Sequence, residues 1–83
     1  YTRRNGHAIV QSELDVRAGR LIGEMREIAR PWVSLDGEGP HLYKVAGRYY
    51  LLTAEGGTGF GHMVCIGRSD TPWGPFEPCP ANP

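Results

Sequence analysis

The first third of the chain alternates between apolar and polar residues over short runs, which turn residues separate. Residues 7–14 alternate in this way and predict a β-strand whose even- and odd-numbered side chains face opposite sides. Asn5-Gly6 is a strong signal for a two-residue hairpin turn of type I′, and it connects this strand to a strand end at residues 1–4. After a glycine-containing turn, residues 21–28 predict another short strand.

The same region also fits a second pattern. Apolar residues between positions 10 and 28 recur with roughly helical spacing, so residues 10–28 could form one amphipathic helix. Gly19 and Gly23 would then lie inside the helix, and each would cost about 1 kcal/mol relative to alanine. We therefore favour the strands over the helix.

The clearest element of the second half is a β-hairpin. Its arms are residues 41–45 and 48–54, and Ala46-Gly47 forms the turn between them. Residues 49–52 are aromatic and apolar on both faces of the second arm. That composition is typical of a strand that is covered on both sides.

Two further strands follow the hairpin, at residues 62–69 and at the short, proline-limited edge 76–78. Four short antiparallel strands in succession form one blade of a β-propeller. The predicted fold class is therefore all-β, with antiparallel four-stranded blades that form part of a β-propeller. Residues 1–30 would end one blade, and residues 36–80 would form the following blade. Because propellers close with at least about four blades, we expect the remaining blades elsewhere in a longer parent.

Composition narrows the possible partners. The 83 residues allow one small domain at most, and nine basic residues balance nine acidic ones. The chain therefore has no basic surface for phosphates, and we expect no nucleic-acid partner. No apolar run is long enough to cross a membrane and no basic-then-apolar leader opens the chain, so we expect no membrane partner. Because the chain starts with Tyr1, we expect a piece of a longer protein, and its compartment stays open.

Cys65 and Cys79 are the two cysteines, and they do not have metal-ligand spacing. One disulfide bridge between them remains possible. Cys65 lies in an apolar run, which favours a small buried side chain instead. We expect no cofactor on this chain.

One short stretch, Asp36-Gly37-Glu38-Gly39-Pro40-His41, concentrates residues that can carry chemistry. Its two glycines leave no side chain beside Glu38, so a ligand could approach that carboxyl group closely. Pro40 restricts the backbone and favours an extended Gly39. An acid on a stiff backbone at the mouth of a strand suits a general acid, although a polar turn with solvated acids is the commoner arrangement.

Four other side chains have a structural and a functional interpretation. We expect Asp36 to be a solvated loop residue, and Glu55 to accept structural hydrogen bonds from loop N–H groups. His41 could orient Glu38, but a satisfied structural histidine is the commoner case. Trp32 is either a core or interface residue or an exposed stacking surface, and we favour packing.

The chain resembles glycoside hydrolase family 43, which contains β-xylosidases and α-L-arabinofuranosidases. The segments that carry the resemblance are Glu38-Gly39-Pro40-His41-Leu42-Tyr43-Lys44, then Gly47-Arg48-Tyr49-Tyr50-Leu51-Leu52-Thr53-Ala54-Glu55-Gly56-Gly57-Thr58, Gly61-His62 and Pro72-Trp73-Gly74-Pro75-Phe76-Glu77. Residues 13–28 resemble the preceding blade of that family, so the resemblance covers essentially the whole chain.

The resemblance implies a five-bladed β-propeller with its active site at the central cavity. It implies hydrolysis of a glycosidic bond with inversion, by a carboxylic acid and a carboxylate base about 6.5–9.5 Å apart. By resemblance, Glu38 is the general acid, Thr58 lines the sugar pocket, and Gly59 contributes its backbone. The family's base and a third acid that tunes the proton donor fall before Tyr1. Some relatives hold a structural calcium, but no metal ligand is carried onto this chain.

The sequence thus predicts a segment of an inverting glycosidase that removes terminal xylose or arabinofuranose from plant-type oligosaccharides. The partners would be the oligosaccharide and the remaining blades of the parent, and the segment alone would be inactive. Two alternatives stay open: a non-catalytic carbohydrate-binding or scaffold propeller, and a purely structural β-meander that associates through its strand edges.

Overall fold

A computed structural model describes residues 1–34, 36–57 and 61–82. Every regular element in these ranges is a β-strand; the strands are β1 (Thr2–Asn5), β2 (Ala8–Asp15), β3 (Arg20–Ala29), β4 (Gly37–Val45), β5 (Arg48–Glu55), β6 (Met63–Ser69) and β7 (Glu77–Pro78). Two antiparallel sheets result, ordered β1-β2-β3 and β4-β5-β6-β7. The all-β prediction is confirmed, and the helical alternative for residues 10–28 is wrong. These ranges hold no helix that could span a bilayer.

The first hairpin turns one residue later than the sequence predicted. Asn5 pairs with Ala8, so Gly6 and His7 form the two-residue turn between β1 and β2. Gly6 has a φ of 61°, and a positive φ at the first central position is typical of a type II′ turn. The predicted type I′ turn at Asn5-Gly6 is therefore wrong. The later turn leaves His7 at the tip of the hairpin.

The second hairpin turn lies where the sequence predicted it. Val45 pairs with Arg48 across the turn Ala46-Gly47. The φ angles of these two turn residues are 51° and 81°. Positive φ at both central positions is typical of type I′, the turn whose twist matches that of the flanking strands.

Strand β4 begins four residues earlier than the predicted hairpin arm, because a β-bulge extends the pairing. Glu38 pairs with Ala54 and His41 with Leu52, so two residues of β4 oppose one residue of β5. Gly39 has a φ of 55°, so the extended conformation expected before Pro40 is wrong at this position. Glycine tolerates that angle, and a proline at a bulge removes no ladder hydrogen bond. Glu38 therefore lies within a strand rather than in the loop before it.

The hydrophobic core joins the two sheets. Ile9 of β2 and Ile28 of β3 cluster with Leu51 of β5 and with Phe76. Two polar contacts tie the same sheets together at the turn before β7. The side-chain amide of Gln11 donates to the carbonyl of Pro72 at 2.8 Å, and the guanidinium of Arg26 lies 4.5 Å from the centre of the Trp73 ring.

Trp32 lies in the segment that connects the two sheets. It is partly buried and lies against the core cluster. Its ring covers Gly67 of β6 so closely that a Cβ atom at position 67 would lie 2.6 Å from Cζ2 and 2.7 Å from Cη2. The packing role favoured for Trp32 is confirmed, and a side chain at position 67 would collide with a rigid ring.

We predict that Gly67→Ala, made in the full-length protein, lowers the free energy of unfolding by about 1–3 kcal/mol. The added methyl group forces the indole of Trp32 away from β6. Urea unfolding, followed by tryptophan fluorescence, measures the loss. In a double-mutant cycle, Trp32→Leu should remove most of the cost of Gly67→Ala. Additive losses in that cycle would show that the two residues do not compete for space.

Candidate active site

The tip of the β1–β2 hairpin lies against the start of β4, so residues of the first sheet reach the acidic stretch of the second. Arg4 Nη1 lies 2.8 Å from Oε2 of Glu38, and the two side chains are 45% and 31% exposed. His7 Nδ1 lies 3.5 Å from Oδ1 of Asp36. Each acid of the stretch therefore has a basic partner from the neighbouring sheet.

The guanidinium of Arg4 is held from a second side as well. Its Nε donates to the carbonyl oxygen of Gly6 at 2.8 Å. That carbonyl belongs to the hairpin turn, whose geometry is set by the positive φ of Gly6. The turn thus orients the guanidinium, and the guanidinium in turn holds one oxygen of Glu38.

Glu55, at the end of β5, organises the segment before β4. Its side chain is fully buried. Oε2 accepts the backbone N–H of Trp32 at 2.9 Å, and Oε1 accepts those of Val33 at 2.9 Å and Ser34 at 2.8 Å. The predicted structural role of Glu55 is confirmed, and its donors lie in the segment that connects the two sheets.

Two opposing effects act on the pKa of Glu55. Burial favours the neutral form and would raise the pKa, whereas the backbone N–H groups of Ser34, Trp32 and Val33 favour the carboxylate. The hydrogen bonds prevail, so the pKa of Glu55 is lowered from its usual value of 4.5. The folded chain therefore holds a buried carboxylate at neutral pH.

The hydroxyl group of Ser34 extends this arrangement towards Glu38. Ser34 Oγ accepts the backbone N–H of Gly56 at 3.0 Å and that of Asp36 at 3.2 Å. We use the name Glu55 network for Glu55, Ser34 and the N–H groups that these two side chains bind. It ties the end of β5 to the chain two residues before Glu38, and so it fixes the backbone from which that acid projects.

Cys65 of β6 lies beside the same carboxylate. It is fully buried, and burial together with the charge of Glu55 raises the pKa of its thiol to about 11. Cys65 and Cys79 are both free, so the possible disulfide bridge is not formed. The expectation that Cys65 is a small buried side chain is confirmed.

The structure describes one of the three predicted site residues. Glu38 lies at the bulge of β4, whereas Thr58 and Gly59 lie outside the described residues. His41 is exposed and stacks on Tyr43, with ring centres 6.3 Å apart, so its packing is not directed at Glu38. Within residues 1–34, 36–57 and 61–82, no group of three or more His, Cys, Asp or Glu side chains could hold a metal ion.

Sequence reasoning missed Arg4 and His7 as partners of the acidic stretch. Arg4 precedes Glu38 by 34 positions, and the two residues meet only through the packing of separate sheets. The hairpin signal beside Arg4 showed that a turn was present, but not which element the turn would touch.

Comparison with known proteins agrees with this architecture. The family described as glycosyl hydrolases family 43 matches residues 2–83. A xylosidase/arabinosidase of Humicola insolens is 51% identical over 69 residues, which are 83% of this chain and 13% of that protein. A non-reducing end α-L-arabinofuranosidase of Bacteroides ovatus is 44% identical over 70 residues, which are 84% of this chain and 13% of that protein.

Solved structures give the same assignment. The xylan β-1,4-xylosidase of Bacillus halodurans superposes with a TM-score of 0.88 at 38% identity, over 96% of this chain and 16% of that one. The structure from Bacteroides ovatus superposes with a TM-score of 0.86 at 40% identity, over 96% of this chain and 16% of that one. Enzymes of this family are β-propellers, so the two sheets are parts of such a propeller, and the chain belongs to glycosyl hydrolase family 43.

Proposed function

We propose that the full-length protein is a glycoside hydrolase and that this segment supplies its general acid, Glu38. The proposal rests on the position of the Glu38 carboxyl group, in a chain that belongs to this family. A bulge fixes its backbone, and Arg4 fixes Oε2 at 2.8 Å. The hydrogen bond from Arg4 engages Oε2, so Oε1 would be the oxygen that carries the proton.

Cleavage of a glycoside requires a proton on the leaving oxygen and a nucleophile at the sugar carbon. Glu38 would protonate the oxygen of the leaving alcohol. A carboxylate base from another part of the parent would activate water on the opposite face of the sugar and so invert the anomeric centre. This segment supplies one of the two carboxyl groups, so by itself it would be inactive.

The names of the relatives indicate the class of substrate. The two compared by sequence are a xylosidase/arabinosidase and an arabinofuranosidase. We therefore propose terminal xylose or arabinofuranose units of plant-type oligosaccharides as the substrates. Thr58 and Gly59 would line the sugar pocket, and no cofactor takes part in this mechanism.

The test uses the full-length protein with xylobiose and with an arabinofuranosyl oligosaccharide. Proton NMR should show release of a terminal sugar, with the first-formed anomer inverted relative to the substrate. Retention of configuration would contradict the inverting mechanism. Binding of both sugars without release would favour the carbohydrate-binding alternative and would contradict the enzymatic proposal.

A further inference from the structure

We propose that Arg4 is a positioning residue for the proton donor. It would hold Oε2 of Glu38 and stabilise the carboxylate that forms as the proton leaves Oε1. This inference rests on the proposed role of Glu38 as general acid. Arg4 belongs to the first sheet and reaches Glu38 of the second sheet across the contact between them.

The geometry of Arg4 is that of a fixed donor rather than a free surface side chain. Nε is bound to the carbonyl of Gly6 and Nη1 to the carboxylate of Glu38, both at 2.8 Å. Two anchors on one planar guanidinium leave it little rotational freedom. The position of Oε2, and with it that of Oε1, is thus set by the hairpin turn of the first sheet.

Stability alone gives little reason for this ion pair. Both side chains are partly exposed, and ion pairs between exposed side chains contribute little to folding. The other contact between an acidic and a basic side chain at this tip, that of His7 with Asp36, is also exposed and has a longer separation of 3.5 Å. The contribution of Arg4 should therefore appear in the reaction, where the charge on Glu38 changes.

The bonds form and break in one concerted step. Water, activated by the carboxylate base of the parent, forms a bond to the anomeric carbon and gives a proton to that base, while the bond between the anomeric carbon and the leaving oxygen breaks and its electron pair goes to the leaving oxygen. The Oε1–H bond of Glu38 breaks, and its proton forms the new O–H bond of the leaving alcohol. Glu38 becomes a carboxylate beside the Arg4 cation, so the ion pair is strongest when the proton has left. An interaction that strengthens as the reaction proceeds accelerates it.

The experiment compares variants of the full-length protein on two glycosides of the sugar that it hydrolyses. One is the natural disaccharide, whose leaving alcohol needs the proton. The other is the 2,4-dinitrophenyl glycoside, whose leaving group departs without it. Arg4→Met should lower kcat on the disaccharide by about 10–100-fold, because general acid catalysis contributes roughly 10²–10⁴-fold and Arg4 would support part of it. On the dinitrophenyl glycoside the loss should stay below about threefold.

Two further variants test whether the loss of activity in Arg4→Met comes from the charge and position of Arg4. Arg4→Lys keeps the cation but not the planar set of donors that binds both Gly6 and Glu38, so its kcat on the disaccharide should lie between those of the parent and Arg4→Met. Arg3→Met removes a neighbouring cation whose side chain donates to the carbonyl of Arg4, and it should leave both rates within about twofold. Activity on the dinitrophenyl glycoside also reports that each variant is folded.

The outcomes separate this inference from the proposed function. Equal losses on the two glycosides, or no loss on either, would overturn the positioning role of Arg4. A Glu38→Gln variant in the same series tests the general acid itself. If Glu38→Gln shows the dependence on leaving group and Arg4→Met does not, only the inference about Arg4 fails. If Glu38→Gln shows no such dependence, the proposed role of Glu38 fails as well.

Discussion

Replacement of Glu38 by glutamine in the full-length protein should lower kcat on the natural disaccharide by about 10²–10⁴-fold, the usual contribution of a general acid. Glutamine has nearly the same shape and keeps an oxygen that can accept the hydrogen bond from Arg4. It has no acidic proton to give to the leaving oxygen. Hydrolysis of the 2,4-dinitrophenyl glycoside needs no such proton, so kcat on that substrate should fall by less than about tenfold. Steady-state kinetics on both glycosides measure the difference.

Asp36→Asn is the matched control for this variant. Asp36 lies two residues before Glu38 in the same stretch, and its side chain is partly exposed and pairs with His7. Because such a pair contributes little, the rates on both substrates should stay within about threefold of the parent. A loss for Asp36→Asn as large and as dependent on leaving group as that for Glu38→Gln would move the acid role to Asp36.

The second large effect concerns stability. Glu55→Gln should lower the free energy of unfolding of the full-length protein by about 2–4 kcal/mol, since it breaks charge-assisted hydrogen bonds in a buried site. The amide keeps one acceptor oxygen, but its NH₂ group would face backbone N–H donors of the segment 32–34. Those donors would then be buried without a partner. Urea denaturation at pH 7 measures the loss.

The effect of Glu55→Gln should depend on pH. The pKa of Glu55 is lowered in the folded chain, so the folded state binds this proton less readily than the unfolded state does. The stabilisation is then fully present above the usual carboxyl pKa of 4.5 and is lost as the pH falls through the lower folded value. The difference between parent and variant should therefore shrink as the pH is lowered from 7 towards 3.

Glu24→Gln serves as the control for Glu55→Gln. Glu24 is an exposed acid of β3, and its replacement should change the free energy of unfolding by less than about 0.5 kcal/mol. If Glu55→Gln were as mild as Glu24→Gln, the Glu55 network would not hold the segment before β4. A difference between parent and Glu55→Gln that stayed constant down to pH 3 would contradict the lowered pKa.

Local patterns predicted those parts of the fold that depend on local chemistry. Alternating residues located the strands, and Ala46-Gly47 marked its turn correctly. Gly39-Pro40 suggested a loop because glycine and proline usually end strands, yet the bulge accommodates both and lets β4 start at Gly37. The turn at Gly6 lies one residue later than Asn5-Gly6 predicted. Its position is set by the pairing of the two strands, in which Asn5 lies opposite Ala8, and the dipeptide alone does not determine that pairing.

The residues of the candidate site likewise differ in whether the local sequence could predict them. Glu38 could be proposed as a site residue from the sequence because its glycine-rich surroundings and the family resemblance both lie in the neighbouring sequence. Arg4 was not, because its contact with Glu38 depends on how two sheets pack against each other. Ser34 had no distinguishing pattern of its own either, although its hydroxyl group links β5 to the stretch that carries the acid.

The ion pair between Arg4 and Glu38 has a consequence for recombination among relatives. Its two residues belong to different sheets, so a chimera joined between residues 29 and 37 would take the arginine from one parent and the glutamate from the other. Exchange of one sheet alone should therefore keep this contact only between relatives that share both residues and the same hairpin length. Libraries that transfer both sheets as one block would keep the pair together.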